Sequence, residues 1–352
     1  MDRRSFILGT VSSAACLLAP TAVPQTELAA STSRQSSKVA IVPTLSGDIA
    51  CNELGMTLMH EHVLFGKIPE DLRSASVDIA VHLLNEAGRV GIDTLVDLTP
   101  VRDIQLYQRI ANRTSVKILV STGFYLQSHT PDWQQKFSQC QMEDHMMREV
   151  TEGIEETKIR AGMIKLAGSG TPLTDWEKMT FLAAARVHSS TGISIQTHAV
   201  CGAREQFDLL VKAGVDPHQI ILSHIETVSG WAGRNREQMA EHLLAIAKDG
   251  GNLLFNNFGC DFYTPPFTIV YLLRFLIDKG YSHRVFASVD CNWEWKDNRQ
   301  VYEAEDVSPE AAKRTYAYMI TDVLPQYLKF GMSKKEWEVF LVQNPRKFFC
   351  RS

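Results

Sequence analysis

Eight short apolar runs recur along the chain, and each is bounded by polar residues or glycine. Runs of this length, rich in Val, Ile and Leu and without strict alternation, are typical of strands buried on both faces of a parallel sheet. The predicted strands are Met56–His62, Thr94–Thr99, Lys117–Gly123, Gly162–Ala167, Ile193–His198, Ile220–His224, Asn252–Asn256 and Val285–Asp290.

Between these runs the apolar residues recur every three to four positions, which is the period of an amphipathic helix. Ser308–Phe330 and Ser333–Phe349 would be closing helices, and Ile41–Ile49 a small hairpin. The alternation predicts an α/β fold, the (β/α)8 TIM barrel, because a competing doubly wound sheet would need a Gly-rich phosphate loop that is missing here. The other predicted helices are Ser76–Arg89, Asp103–Arg113, Glu143–Lys158, Asp175–His188, Arg204–Ala213, Arg236–Lys248 and Phe267–Lys279.

Ionisable residues end five of the predicted strands. In a TIM barrel these C-terminal ends meet at the face that carries the active site. Two of the histidines are two residues apart on the first strand, so their side chains point to the same face. A single such pair is a weak signal, but a set at equivalent strand ends predicts a metal site rather than chance core histidines. The set is His60, His62, Lys165, His198, His224 and Asp290.

Lys165 lies within an apolar run. A cationic ammonium beside divalent cations is electrostatically unfavourable. Burial lowers the pKa of a lysine and frees its amine, which can react with CO2 to give an anionic carbamate. The two carbamate oxygens could each hold one metal ion. The alternative is a structural or substrate-binding lysine.

This set of residues resembles the metal-binding pattern of the phosphotriesterase family within the amidohydrolase superfamily. Gly55–His62 resembles the opening motif of the family, Gly153–Lys165 its approach to the fourth strand, and Asn344–Phe349 its C-terminal signature. The resemblance covers nearly the whole mature chain. It implies a TIM barrel with a binuclear metal site at the C-terminal ends of the strands, and family members are often homodimers.

The resemblance also implies a role for each ligand. Two divalent ions are expected, usually zinc, with manganese or cobalt as alternatives. The more buried ion would be held by His60, His62 and Asp290, and the more exposed one by His198 and His224. The carbamylated lysine and a hydroxide would bridge the ions, and Asp290 would accept the proton of the attacking hydroxide.

The positions that surround the metal site match the family less well. Tyr125 stands where lactonases of the family have a tyrosine and triesterases a tryptophan, which favours a lactonase-like pocket. Asn257 replaces the arginine of those lactonases. After His224 the family often has an aspartate, whereas here the nearest acid in the sequence is Glu226. These differences weaken a direct transfer of substrate from the family.

Trp293 and Trp295 lie in the predicted loop Cys291–Val307 after the last strand. Long loops at this face commonly form the substrate pocket, so both are candidates for its mouth, with ordinary loop packing as the alternative. The combined features predict a metal-dependent hydrolase that acts on a small molecule, namely a neutral or aromatic carboxylic ester, lactone or amide. One alternative is a phosphotriesterase. Another is a non-catalytic exported binding protein on the same barrel, which would be expected to lose a ligand.

The composition and the N-terminus add two constraints. A net charge of −4 and a pI near 6.3 over 352 residues do not indicate nucleic acid or an anionic membrane as partner. No apolar run reaches the roughly 18 residues of a membrane span. Arg3 and Arg4 before an apolar stretch predict a twin-arginine export signal over residues 1–30, with a disordered tail as the alternative. Residues 31–352 would form one metallohydrolase domain, exported to the periplasm or the extracellular space.

Six of the seven cysteines lie after this leader, scattered and without a Cys-x-x-Cys pair. No zinc ribbon or redox motif is therefore indicated. An oxidising compartment would permit disulfides, but the sequence favours buried free thiols.

Overall fold

The computed structural model describes residues 40–303, 305–308 and 310–350. Strands β1 (Ile41–Val42) and β2 (Ile49–Ala50) pair antiparallel as the predicted N-terminal hairpin. Eight further strands form one parallel sheet in chain order. They are β3 (Thr57–Glu61), β4 (Thr94–Asp97), β5 (Lys117–Gly123), β6 (Met163–Ala167), β7 (Ile195–His198), β8 (Ile220–Ser223), β9 (Asn252–Phe255) and β10 (Val285–Ala287).

The sheet curls into a barrel whose first and last strands meet. Beyond the end of β10, the Asp290 amide donates to the His60 carbonyl at 3.2 Å, and the His62 amide donates to the Cys291 carbonyl at 3.1 Å. These bonds join the two edges at the C-terminal end of the barrel. The predicted (β/α)8 fold is confirmed.

Buried hydrophobic residues form two clusters, one inside the barrel and one around it. Val42 of the hairpin and Phe348 near the C-terminus cover the interior cluster at one end. A second and larger cluster fills the space between the strands and the surrounding helices. Seven strands each contribute one residue to the interior cluster: Met59, Val96, Leu119, Met163, Ile221, Leu254 and Phe286.

The helices alternate with the strands as predicted. Several begin directly after a residue whose side chain accepts a hydrogen bond from the first turn, as Asp103, Ser138, Thr174 and Asn235 do. The α-helices are α1 (Arg73–Arg89), α2 (Ile104–Ala111), α3 (Asp132–Gln135), α4 (Gln139–Thr151), α5 (Asp175–Thr191), α6 (Ala203–Lys212), α7 (Arg236–Lys248), α8 (Pro266–Asp278), α9 (Leu324–Lys329), α10 (Lys334–Glu338) and α11 (Asn344–Phe349).

Two predictions of helix extent were wrong. The helix predicted over Glu143–Lys158 is α4, which ends at Thr151, because Gly153 adopts a φ of 142° that no helix contains. The helix predicted over Ser308–Phe330 was wrong at its start, since the continuous helical segment begins only at Met319. Ser333–Phe349 is helical nearly as predicted, and the two closing helices contain the π-helical segments Met319–Val323 and Val339–Gln343. Each π-helical segment precedes a proline that cannot donate the usual helical hydrogen bond.

The predicted loop after β10 contains a second hairpin, which the sequence analysis missed. Strands β11 (Trp293–Lys296) and β12 (Arg299–Tyr302) pair antiparallel around Asp297 and Asn298. Both turn residues have positive φ, as a two-residue hairpin turn requires. The alternation Trp-Glu-Trp-Lys before an Asp-Asn pair was the available signal.

The expectation of free thiols was wrong for one pair of cysteines. Cys51 and Cys350 form a disulfide that ties the segment after β2 to the end of α11. The free cysteines of the described chain are Cys140, Cys201, Cys260 and Cys291. No helix in this part of the chain is long and apolar enough to cross a bilayer. The predicted export signal, residues 1–30, lies outside the described residues.

Candidate metal centre

Three predicted ligands converge where β3 meets the end of β10. The Nε2 atoms of His62 and His60 lie 3.4 and 3.6 Å from Asp290 Oδ1. One ligand atom from each of the three side chains lies within 4.8 Å of the others. The pairing of β3 with β4 shifts between Leu58 and Glu61. The side chains near the end of β3 therefore do not alternate strictly between the two faces of the strand. The group could hold a metal ion.

His198 and His224 extend this group. Their rings lie 4.3 Å apart between centroids, and the His224 ring lies 4.8 Å from that of His60. His224 Nδ1 is 3.6 Å from Asp290 Oδ2. Burial lowers the pKa of His198 well below its usual value and that of His224 to about 4. Both imidazoles are therefore neutral near pH 7 and have a lone pair for a cation.

Lys165 reaches the same cluster from β6. Its Nζ lies 3.2 Å from His60 Nε2, and the residue is 1% exposed. Burial lowers the pKa of Lys165 to about 7. The neighbouring strand comes close here because position 123 is a glycine: a Cβ on Gly123 would lie 2.0 Å from the Lys165 carbonyl oxygen. A neutral amine is the form of lysine that reacts with CO2.

The polar atoms at the centre of the cluster fit a metal ion. Asp290 Oδ1 and His224 Nε2 are buried and have no hydrogen-bond partner among the described residues. A buried polar atom without a partner costs about 1–3 kcal/mol. Imidazole nitrogens with one carboxylate oxygen are a typical zinc donor set. A cation bound by these atoms would remove that cost.

Partners behind the first two histidines fix their orientation. His62 Nδ1 lies 2.8 Å from Thr99 Oγ1. The Asp97 carboxylate holds Thr99 and the backbone after His62 in place, because it accepts from the Thr99 amide at 3.0 Å and the Val63 amide at 2.7 Å. Because Nδ1 has this partner, Nε2 is left free for a metal ion.

Gln196 does the same for His60. The Gln196 amide group contacts His60 Nδ1 at 3.0 Å and Ser223 Oγ at 2.9 Å. With the nitrogen making both contacts, Gln196 Oε1 is buried without a partner among the described residues. Rotating the amide by 180° gives Oε1 both bonds, and His60 then donates from Nδ1–H and keeps its Nε2 lone pair.

Glu226 and Asn257 belong to a network within the loops that follow β8 and β9. Glu226 Oε1 accepts from the Asn256 and Asn257 amides at 2.6 and 2.7 Å. The Asn257 side-chain nitrogen donates to Thr227 Oγ1 at 2.7 Å and to Thr264 Oγ1 at 3.2 Å. The side-chain nitrogen of Asn257 is therefore engaged within this network. The substrate contact predicted for Asn257 stays a prediction.

The three predicted aromatic residues occupy different surroundings. Tyr125 is beside the cluster, with its ring 5.4 Å from that of His198 and 5.9 Å from Lys165 Nζ. Trp293 is 1% exposed, with its ring 6.0 Å from that of Trp295. Trp295 Nε1 donates to Ser76 Oγ of α1 at 2.8 Å. The two tryptophans make the contacts of packing residues, which is the alternative that the sequence left open.

Two other side chains near the site were not singled out from the sequence. The Phe65 ring lies 5.2 Å from the His62 ring. The Glu303 carboxylate accepts from Tyr263 Oη at 3.3 Å and from Asn292 Nδ2 at 2.9 Å, two residues after Asp290. Glu303 thus links the loops that follow β9 and β10. In the sequence Glu303 looks like any other loop carboxylate, and only its contacts across these loops set it apart.

Comparison with known proteins adds a family match and several relatives. The model of the phosphotriesterase family matches residues 40–349. The chain is 29% identical to a phosphotriesterase homology protein of Mycobacterium tuberculosis, with 88% of this chain and 97% of that protein covered. It is 26% identical to the N-acetyltaurine hydrolase of Dictyostelium discoideum, with 80% and 76% covered.

A solved structure has the same fold and a related sequence. It is a mutant of a PTE-like lactonase from Deinococcus radiodurans, with a TM-score of 0.77 and 29% identity. The match covers 88% of this chain and 99% of the lactonase.

Proposed function

The chain belongs to the phosphotriesterase family, and from this premise we propose that it is a metal-dependent hydrolase of an uncharged carboxylic ester, lactone or amide. The observation that carries the proposal is the convergence of His60, His62 and Asp290 ligand atoms within 4.8 Å. Two neutral histidines and a buried lysine lie against this group. A binding protein on the same barrel would have no need of the complete set, whereas a hydrolase requires it.

The residues of the site divide the work of hydrolysis between them. The four histidines, Asp290 and a carbamate on Lys165 would hold two divalent ions, which when bound would supply an activated water and polarise the carbonyl oxygen of the substrate. Thr99 and Gln196 keep the first two imidazoles in their productive orientation. The Asp290 carboxylate would accept the proton that the water loses as it attacks.

An uncharged acyl group suits the surroundings of the metal cluster. Tyr125 forms an aromatic wall beside His198, and its hydroxyl could donate to an ester or amide oxygen. A flat carbonyl also needs less room than a phosphorus atom with three substituents. The N-acetyltaurine hydrolase and the lactonase among the similar proteins are named for an amide and a lactone, which supports acyl chemistry but not the absence of charge.

The charge near the mouth favours a substrate without an anionic group. Glu303 lies between two loops that border the site, where its carboxylate is bound by the neutral side chains of Tyr263 and Asn292. The neighbouring Phe262 and Tyr263 are 41% and 38% exposed and add apolar surface. A carboxylate or sulfonate on the substrate would be repelled here.

A comparison of kcat/KM on the zinc-loaded mature protein tests the proposal. The panel would contain neutral esters, lactones and amides, N-acetyltaurine as an anionic amide, and a neutral phosphotriester. We expect a neutral acyl substrate to give the highest value, Tyr125→Phe to lower it, and Asn257→Arg to shift the preference among acyl substrates. Glu303→Gln should raise the relative rate for the anionic amide. A triester turned over faster than every acyl substrate would establish phosphotriesterase as the principal activity instead.

A further inference from the structure

The Glu61 carboxylate binds the backbone on both sides of Asp290. Its Oε1 accepts from Ser288 Oγ at 2.6 Å and from the Val289 amide at 2.9 Å. Its Oε2 accepts from the Cys291 amide at 2.6 Å. Glu61 is fully buried, so water does not compete for these bonds. One side chain of β3 therefore holds the residues directly before and after a predicted metal ligand that follows β10, the strand that meets β3 where the barrel closes.

The backbone of Asp290 needs such support. Its φ is 54°, in the left-handed region that residues other than glycine seldom adopt. A residue keeps this conformation only where its surroundings impose it. The flanking Val289 and Cys291 amides are both bound by the buried carboxyl group of Glu61, which fixes the backbone on each side of Asp290. The Asp290 amide itself donates to the His60 carbonyl at 3.2 Å.

The carbonyl group of Val289, the residue before Asp290, is fixed as well. The buried guanidinium of Arg314 donates to the Val289 carbonyl. It also donates to the Phe258 carbonyl at 2.9 Å and to the Asn256 carbonyl at 3.3 Å, which ties this segment to the loop after β9. Val289 is thus bound at its amide by Glu61 and at its carbonyl by Arg314, leaving little freedom for the residue that follows.

We propose that Glu61 is a positioning residue that sets the left-handed conformation of Asp290 and thereby determines how tightly the cluster retains its metal ions. His60 and His62 flank Glu61 in the sequence, so one strand supplies two ligands and the group that orients a third. The inference rests on the metal-dependent hydrolysis proposed above. It assigns a specific role to the middle residue of the His-Glu-His sequence.

The test is the dissociation constant for zinc of Glu61→Gln, measured by competition with a chromogenic chelator. The glutamine oxygen can still accept from Ser288 and Val289, but its NH2 group would face the Cys291 amide, a donor against a donor. Loss of a group that orients a metal ligand typically weakens metal binding by about 10–100-fold. We expect an increase of that size in the dissociation constant, with kcat at saturating zinc reduced much less.

Glu177→Gln is the matched control. Glu177 is also buried, and its carboxylate accepts from the Ser169 and Thr174 amides, both at 2.9 Å, in the loop after β6. Its substitution should lower the melting temperature of the protein in the same way as Glu61→Gln. The zinc dissociation constant of this variant should match that of the wild type.

Ser288→Ala provides a second variant that keeps the carboxyl group and removes one of its donors, together with the oxygen that accepts from the His60 amide. We expect it to raise the zinc dissociation constant by a smaller factor, and it carries the test if Glu61→Gln does not fold. Wild-type zinc affinity in Ser288→Ala and in any folded Glu61→Gln would overturn the positioning role, even if the variants melt earlier. If the wild type itself binds no zinc, the proposed function fails first, so the two failures are distinguishable.

Discussion

At the scale of single residues, Lys165 carries the sharpest prediction. Lys165→Ala should lose most of the bound metal and most of the hydrolytic activity, because the site loses the group proposed to join the two ions. Small carboxylic acids such as acetate should partly restore both, since a free carboxylate can take the place of the carbamate. The measurements are metal content by mass spectrometry and kcat with and without added acid.

Lys165→Arg is a suitable control for charge and size, because a guanidinium cannot form the carbamate under these conditions. It should behave like Lys165→Ala without acid. Electron density for an unmodified amine at position 165 in a metal-loaded crystal would contradict the carbamate.

The sequence identified the candidate ligands but not the residues that orient them. His198, His224 and Asp290 stand out because each ends an apolar run. Gln196 and Thr99 resemble any polar residue near a strand end. Their roles depend on contacts such as that between Gln196 and His60, 136 residues apart. No local pattern records which distant side chain such a group will meet.

At the scale of secondary-structure elements, the hairpin of β11 and β12 is attached to α1 by one side-chain bond. Trp295→Phe removes the Nε1–H donor to Ser76 and should weaken this attachment by about 0.5–1.5 kcal/mol, the usual net value of a hydrogen bond. The readout is faster amide hydrogen exchange over residues 293–302, with the amides of β6 unchanged.

Ser76→Ala removes the acceptor of the same bond and should give a similar increase in exchange. The double variant should then add little to either single one. Additive effects of the two substitutions would show that this bond does not hold the hairpin.

The strands were predicted better than the loops for a physical reason. A strand buried on both faces must be apolar throughout, so β5 was predicted with its observed ends, Lys117–Gly123. The helix predicted over Ser308–Phe330 forms in part only. Residues near Arg314 leave the helical path where its guanidinium binds three backbone carbonyls. Such a tertiary requirement overrides the local helical pattern.

At the scale of the whole molecule, the Cys51–Cys350 disulfide joins two segments 299 residues apart. A cross-link over so long a loop restricts the unfolded chain strongly, and its removal typically costs about 2–4 kcal/mol. Cys51→Ser should therefore lower the melting temperature, and a reductant should do the same to the wild type. Cys140→Ser is the control, since Cys140 is exposed and free. An unchanged melting temperature in Cys51→Ser would contradict a stabilising disulfide.

The sequence could not have paired these two cysteines. They stand near opposite ends of the domain, and only the fold brings their Cα atoms to 5.3 Å. The alternation of strands and helices, by contrast, is visible in the sequence alone and was sufficient to predict the barrel.

We also propose export by the twin-arginine route, in keeping with a disulfide that persists in an oxidising compartment. Replacing both Arg3 and Arg4 by lysine should retain the protein in the cytoplasm, because the receptor reads the arginine pair. Fractionation of cells expressing each form measures this directly. Normal export of the double variant would show that the leader works in another way.

The central claim is that hydrolysis depends on a metal centre built from the strand ends. The most direct test strips the protein with a chelator, reloads it with zinc and measures bound zinc and kcat/KM on the best acyl substrate together. The account predicts two zinc ions per chain, no hydrolysis without them, recovery on reloading, and loss of both in a His198→Ala/His224→Ala double variant. Full activity in the metal-free protein, or in the double variant, would contradict it.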